Sequence, residues 1–204
     1  MQRVPRGATV LLCAALLGCG GKGGDGGGPV VPPPLPTTTF KCSDSPPGPN
    51  QVVLRCGAKL VPDVWQIDVM IGLTGSTDIG GFAFNVLIDP AYLTYVPGSA
   101  QSGAMLFQGD VTPLLAAQMD PGDPGRLVVG IYRTGGAGGV GGVPGSGYDR
   151  IMVFSVKAVP GAQFDPSPAH LMFDETQSEA LDSSIQHNAI PSIKFSNQIL
   201  LSNQ

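Results

Sequence analysis

The most constraining feature of this chain is a strict alternation near its middle. Trp65, Ile67, Val69, Ile71 and Leu73 are apolar, with Gln66 and Asp68 between the first three. Apolar residues at every second position mark a strand with one face buried, since successive side chains point to opposite sides. A turn-rich break follows, Thr74-Gly75-Ser76-Thr77-Asp78. A second apolar run, Phe82 to Ile88, ends at Asp89-Pro90. Further strand candidates are Val52–Cys56, Leu93–Val96, Arg126–Arg133, Ile151–Val159, Ala169–Phe173 and Ser192–Leu201. Residues 111–119 read as a strand or one to two helical turns, and residues 174–183 as a loop. Short strands between Gly/Pro-rich breaks, with no long helical pattern, predict an all-β sandwich.

The front of the chain is different. Arg3 and Arg6 precede a short apolar run, Val10 to Leu17, which is too short to span a bilayer and reads as a signal peptide. It ends Leu16-Leu17-Gly18-Cys19, which resembles the lipobox of bacterial lipoproteins, with Cys19 as the lipidated residue. An ordinary secretory signal is the alternative. Gly20 directly after Cys19 points to the outer membrane instead of inner-membrane retention. Residues 20–28 hold seven glycines, and residues 29–36 are proline-rich. Such sequence builds a tether and no core. The expected organisation is a signal peptide at 1–18, a tether at 19–41 and one domain at 42–204.

Four cysteines occur in the chain. Cys13 leaves with the signal and Cys19 takes lipid. Cys42 and Cys56 remain, and an exported chain meets an oxidising compartment, so a disulfide is expected. Loss of Arg3 and Arg6 leaves nine basic against fifteen acidic side chains, a net charge of −6, which argues against nucleic acid as a partner.

The inventory for catalysis is thin. His170 and His187 both read as surface histidines, and Glu175 and Glu179, the only glutamates, fall in one expected loop. Neither Gly-x-Ser-x-Gly nor His-Glu-x-x-His occurs. Asp120 and Asp123 fit turn chemistry better than calcium ligation. Gly136, Gly138 and Gly141 satisfy Gly-x-Gly-x-x-Gly, but a strand follows instead of the helix that a pyrophosphate needs. The stretch reads as a mobile glycine-rich loop. No enzyme, cofactor or metal is expected.

Two runs carry surplus apolar residues. Leu127 to Tyr132 is apolar on both faces, and Ala83 and Leu87 flank Asn85 opposite Phe84, Val86 and Ile88. An uncovered second face marks an interaction surface, unless a loop or the tether covers it.

In order along the chain, these segments resemble the cohesin family. The resemblance is carried by Val69-Met70-Ile71, by Asp78-Ile79-Gly80-Gly81-Phe82-Ala83-Phe84-Asn85-Val86 and by Ile88-Asp89-Pro90-Ala91-Tyr92-Leu93. It continues through Gly125-Arg126-Leu127-Val128-Val129-Gly130, Gly145-Ser146-Gly147, Ile151–Val159 and a strand near Ile193. The resemblance implies a jelly-roll or immunoglobulin-like sandwich of about nine strands. It also implies a dockerin-like protein partner on a face including Ala83, Asn85, Leu87, Leu127, Val129, Ile131 and Arg133. Gly81 and Ala83 depart from the family, whose well-studied members carry polar contacts there. The Gly135–Gly147 loop is also longer than in those members. The second functional reading is a carbohydrate-binding module recognising a polysaccharide, with Trp65, Tyr92, Tyr95, Tyr132 and Tyr148 as its aromatic candidates.

Overall fold

The structure, a computed structural model, describes residues 38–109, 111–135, 138–141 and 147–204. The expected signal peptide, Cys19 and most of the tether lie outside the described residues, as does Gly136.

Two sheets face each other. One contains β2 (Gln51–Val61), β3 (Val64–Gly72), β5 (Leu93–Tyr95), β6 (Gln101–Ser102), β9 (Tyr148–Ala158) and β12 (Lys194–Ser196). Its order is β12-β2-β3-β9-β5, with β6 also on β9, and only β12 runs parallel to its neighbour. The other contains β4 (Ile79–Ile88), β7 (Leu114–Asp120), β8 (Asp123–Tyr132), β10 (Leu171–Phe173) and β11 (Glu179–Asp182). Its order is β10-β4-β8-β7, with β11 sharing the β4 edge with β10. A separate ribbon pairs β1 (Phe40–Ser43) with β13 (Leu200–Asn203).

Alternation determines what lies between the sheets. Ile67, Val69 and Ile71 of β3 are buried, as are Phe82, Phe84, Val86 and Ile88 of β4. On β9 both Ile151 and Met152 are buried in the core. The ladder to β3 skips a residue there, with Val69 opposite Met152 and Met70 opposite Arg150, so Ile151 is the extra residue of a bulge. Edge-on rings close the centre: Phe173 is perpendicular to both Phe84, at 5.5 Å, and Phe195, at 5.0 Å. Each such side chain contributes about 1.5–3 kcal/mol by leaving water.

The structure corrects three expectations about elements. The domain begins before residue 42: Phe40 is fully buried, its ring stacked 4.9 Å from Phe164. Residues 174–183 are not simply a loop, because a 3-10 turn at Glu175–Gln177 leads into β11, which pairs with β4 and buries Ala180. Part of the glycine-rich segment is docked: Ile79 and Val140 exchange two backbone hydrogen bonds of 2.8 Å. Only glycine permits this approach. A Cβ at Gly139 would lie 2.3 Å from the Asp78 carbonyl carbon, and one at Gly141 would lie 2.0 Å from the Ser76 oxygen. Of residues 111–119, those from Leu114 onward resolve as strand, in β7.

Cys42 and Cys56 form the expected disulfide, with Cα atoms 5.8 Å apart. The bond staples β1 to β2. Asp44 sits beside it, its Oδ2 accepting from the Arg55 Nε at 3.0 Å and from the Cys56 amide at 2.7 Å.

Candidate functional site

The outer face of the sheet containing β4, β8 and β7 follows from register. Asn85 lies opposite Val128, Ala83 opposite Gly130, and Gly81 opposite Tyr132. Val128, Gly130 and Tyr132 in turn face Gln118, Ala116 and Leu114. Residues paired across an antiparallel ladder share a face, so these rows stand together on the side away from the core.

This corrects the expected position of β8 on that face. Leu127, Val129 and Ile131 are 0 %, 2 % and 0 % exposed and pack in the core. Their register partners are Val86, Phe84 and Phe82, themselves core residues. The exposed large apolar side chains of this face are Val128 at 39 %, Tyr132 at 38 % and Leu114 at 53 %. The signal was present in the sequence: Arg126, Val128, Gly130 and Tyr132 share one parity, and a charge, a glycine and a phenol suit the outer side. Leu114, Ala116 and Gln118 complete the face, and their run reads in sequence as either strand or helical turn, which hides which side they share.

Of the β4 candidates, Ala83 and Leu87 are half-buried on the outer face. Asn85 also points outward but is covered. Its amide meets that of Gln177 at 2.9 Å, and its backbone oxygen accepts from the Asp174 amide at 2.9 Å. The 3-10 turn therefore lies over this row. Arg126 anchors the turn from β8, its Nη1 donating to Asp174 at 2.8 Å. The Thr176 hydroxyl and the Arg126 guanidinium hold the Asp174 carboxyl below the ordinary aspartate value.

What remains open is a flat floor of small residues with an apolar rim. Ala83, Gly130 and Ala116 form one row, and a Cβ added at Gly130 would meet nothing within 4 Å. Val128 lies on one side of that row, Tyr132 and Leu114 on the other. Beyond Tyr132 is a cleft of about 380 Å³ lined by Arg133, Ser183, Ser184, Ile185 and His187. Arg133 is half-buried, and its Nη1 donates to the Leu106 carbonyl at 2.8 Å. The adjoining loop is organised by Asp182, whose Oδ1 accepts from the Ser184 hydroxyl at 2.6 Å and the Asn188 amide at 2.9 Å. Those bonds, the Ser184 hydroxyl first, hold Asp182 below the ordinary aspartate value.

The histidines take different places. His170 is buried, which corrects the surface reading: its ring lies 4.0 Å from that of Tyr92, and its Nε2 is 2.7 Å from Asp165. His187 is exposed beside Tyr132, with ring centroids 5.6 Å apart. Asp120 and Asp123 each accept from a backbone amide two residues on, at 2.8 and 3.0 Å, as turn residues do. Among the described residues no group of three His, Cys, Asp or Glu side chains is placed to hold a metal ion.

Two facing sheets around one core define the class as an all-β sandwich. No protein-family model and no curated protein sequence matches the chain. Solved structures do. The type II cohesin A11 from Bacteroides cellulosolvens superposes with a TM-score of 0.55 at 13 % identity, over 76 % of this chain and 99 % of that one. The second type II cohesin module of the adaptor ScaA scaffoldin from Acetivibrio cellulolyticus gives 0.54 at 17 % identity, over 76 % and 90 %. The sixth cohesin of scaffoldin B from that organism, solved in complex with a mutant Cel5 dockerin, gives 0.52 at 14 %, over 72 % and 94 %. The domain has the cohesin fold.

Proposed function

We propose that this chain is a cell-envelope lipoprotein whose cohesin-fold domain binds a protein partner of dockerin-like kind. The contact surface is the outer face of β4, β8 and β7. The observation that carries this reading is the floor of Ala83, Gly130 and Ala116 rimmed by exposed Val128, Tyr132 and Leu114. Small residues let a partner's backbone approach closely, and the rim supplies apolar contact with a tyrosine among it, a residue type that anchors interfaces. Support also comes from the solved cohesin that carries a dockerin. The Leu16-Leu17-Gly18-Cys19 sequence supports the anchor, and residues 20–36 the tether.

A polysaccharide reading has less support. Trp65 packs 6.0 Å from Phe40 and donates its indole N–H to the Phe40 carbonyl at 3.1 Å. Tyr95 is buried, and Tyr92 lies on His170. Of the five aromatic candidates Tyr132 alone is exposed, so they do not present several rings together to a sugar chain.

Gly130→Lys tests the face. The space above Gly130 is open, so the lysine fits the free domain and blocks the floor only when a partner arrives. A partner captured from the source envelope by the wild type should bind this variant at least about tenfold more weakly, equivalent to ~1.4 kcal/mol. Retention of every partner at unchanged affinity, in a variant that melts like the wild type, overturns the assignment.

A further inference from the structure

We infer that the free edge of β7 pairs antiparallel with β7 of a second copy of this chain, about a twofold axis through Ala117. The surface is the edge of the sheet, distinct from the outer face that receives the partner.

The edges of these sheets are not alike. β5, β10 and β12 have three residues, β6 has two and β11 has four. Two are also charged, β12 beginning at Lys194 and β11 carrying Glu179 and Asp182. Shortness and charge are how native proteins stop an edge from taking up another strand. β7 is the exception in length, and its one charge stands at its last position. It runs seven residues, Leu-Leu-Ala-Ala-Gln-Met-Asp, uncharged until Asp120, with its proline just outside at Pro113. Among the described residues it pairs with β8 alone. Leu115, Ala117 and Met119 pack against the core yet stay half-buried.

The strand's own sequence fits this edge. An antiparallel pair must keep core-facing residues opposite core-facing residues, because a one-residue slip turns every side chain over. Centring on Ala117 meets that condition and pairs all seven residues. Leu115 then faces Met119 of the other copy, Ala116 faces Gln118, and Leu114 faces Asp120. The chain carries a net charge of −4, but no carboxylate opposes another across this seam. The arrangement is isologous and closes at two copies. The axis is perpendicular to the sheet, so both outer faces stay free and point the same way.

The full chain carrying Cys13→Ser and Cys19→Ser, so that neither an acyl chain nor another free thiol joins two copies, should sediment at twice the chain mass as concentration rises. Added Ala117→Cys should give a disulfide-linked dimer band in the absence of reductant, and reductant should abolish it. Residue 117 alone meets its own copy, within the Cα spacing of an antiparallel pair that a disulfide tolerates. Ala116→Cys should not give that band. Ala116→Lys with Gln118→Lys opposes lysines across the seam and should yield monomer, whereas Ala116→Lys with Gln118→Glu should stay dimeric. A monomer at every soluble concentration overturns the inference, as does a dimer that survives the lysine pair or a different chain bound one-to-one in its place. Partner capture plays no part in these readouts, so failure here leaves the Gly130→Lys result to stand by itself.

Discussion

Ile131 and Val128 lie three residues apart on β8 and should respond in opposite ways. Ile131 is fully buried and paired with Phe82, while Val128 is 39 % exposed and paired with Asn85. Truncating a buried isoleucine to alanine removes its transfer energy and leaves a cavity, for a loss of about 2–5 kcal/mol. In a domain of this size each kcal/mol lowers the melting temperature by about 2–4 °C. Ile131→Ala should therefore melt about 4–20 °C below the wild type, and its folded fraction should bind the partner with unchanged affinity. Val128→Ala should stay within about 0.5 kcal/mol of the wild type, and the loss should fall on binding. Differential scanning calorimetry and titration of the captured partner measure the two quantities on the same samples. If Ile131→Ala melts with the wild type, or Val128→Ala suffers the larger thermal loss, the assignment of faces on β8 is wrong.

Replacing both Cys42 and Cys56 with serine releases a loop of about 15 residues and should lower stability by about 3 kcal/mol; a urea midpoint unchanged from the oxidised wild type would contradict the staple. Asp182 ionises below the ordinary aspartate value in the folded chain, so its stabilisation is present above that ordinary value and fades as pH falls through the folded one. Amide exchange at Ser184 and Asn188 should rise over that acid range in the wild type; a loop that opens equally at neutral pH would refute the role of Asp182. The wild-type chain should partition into detergent and incorporate labelled fatty acid, and Cys19→Ser should do neither; a variant that stays membrane-bound would refute the anchor.

Where local pattern and tertiary role agree, the residues announce the structure. The alternation from Trp65 to Ile71 matches β3, which stops short of the exposed Leu73, and the run from Phe82 to Ile88 lies inside β4. The same rule places Leu127, Val129 and Ile131 in the core. The resemblance to a binding face puts those residues outside, against their own parity. Other features have no local signal. β11 is Glu-Ala-Leu-Asp, with one fully buried side chain, and exists because the edge of β4 offers it backbone partners. β1 follows proline-rich sequence after three threonines, and its partner β13 is more than 150 residues further along the chain. Asn85 reads as an outward contact, and only the turn carrying Gln177, distant in sequence, covers it. His170 reads as exposed because nothing near it in sequence reveals that the Tyr92 ring will lie against it.

The staple between β1 and β2 has a mechanical consequence. A pull on the domain through residue 38 loads β1 first, which is held to β13 by a ladder of four residue pairs. Such a short ribbon, loaded from its end, would open one pair at a time under little force. Phe40 and Lys41 are the only strand residues that can peel away before the load reaches Cys42. There the force passes through a covalent bond into Cys56, within an eleven-residue strand flanked by β3 and β12. The load is then borne by the interior of a sheet instead of by its weakest margin. A domain held at a surface through its N-terminal end can thus carry tension from a bound partner without unravelling from the point of attachment.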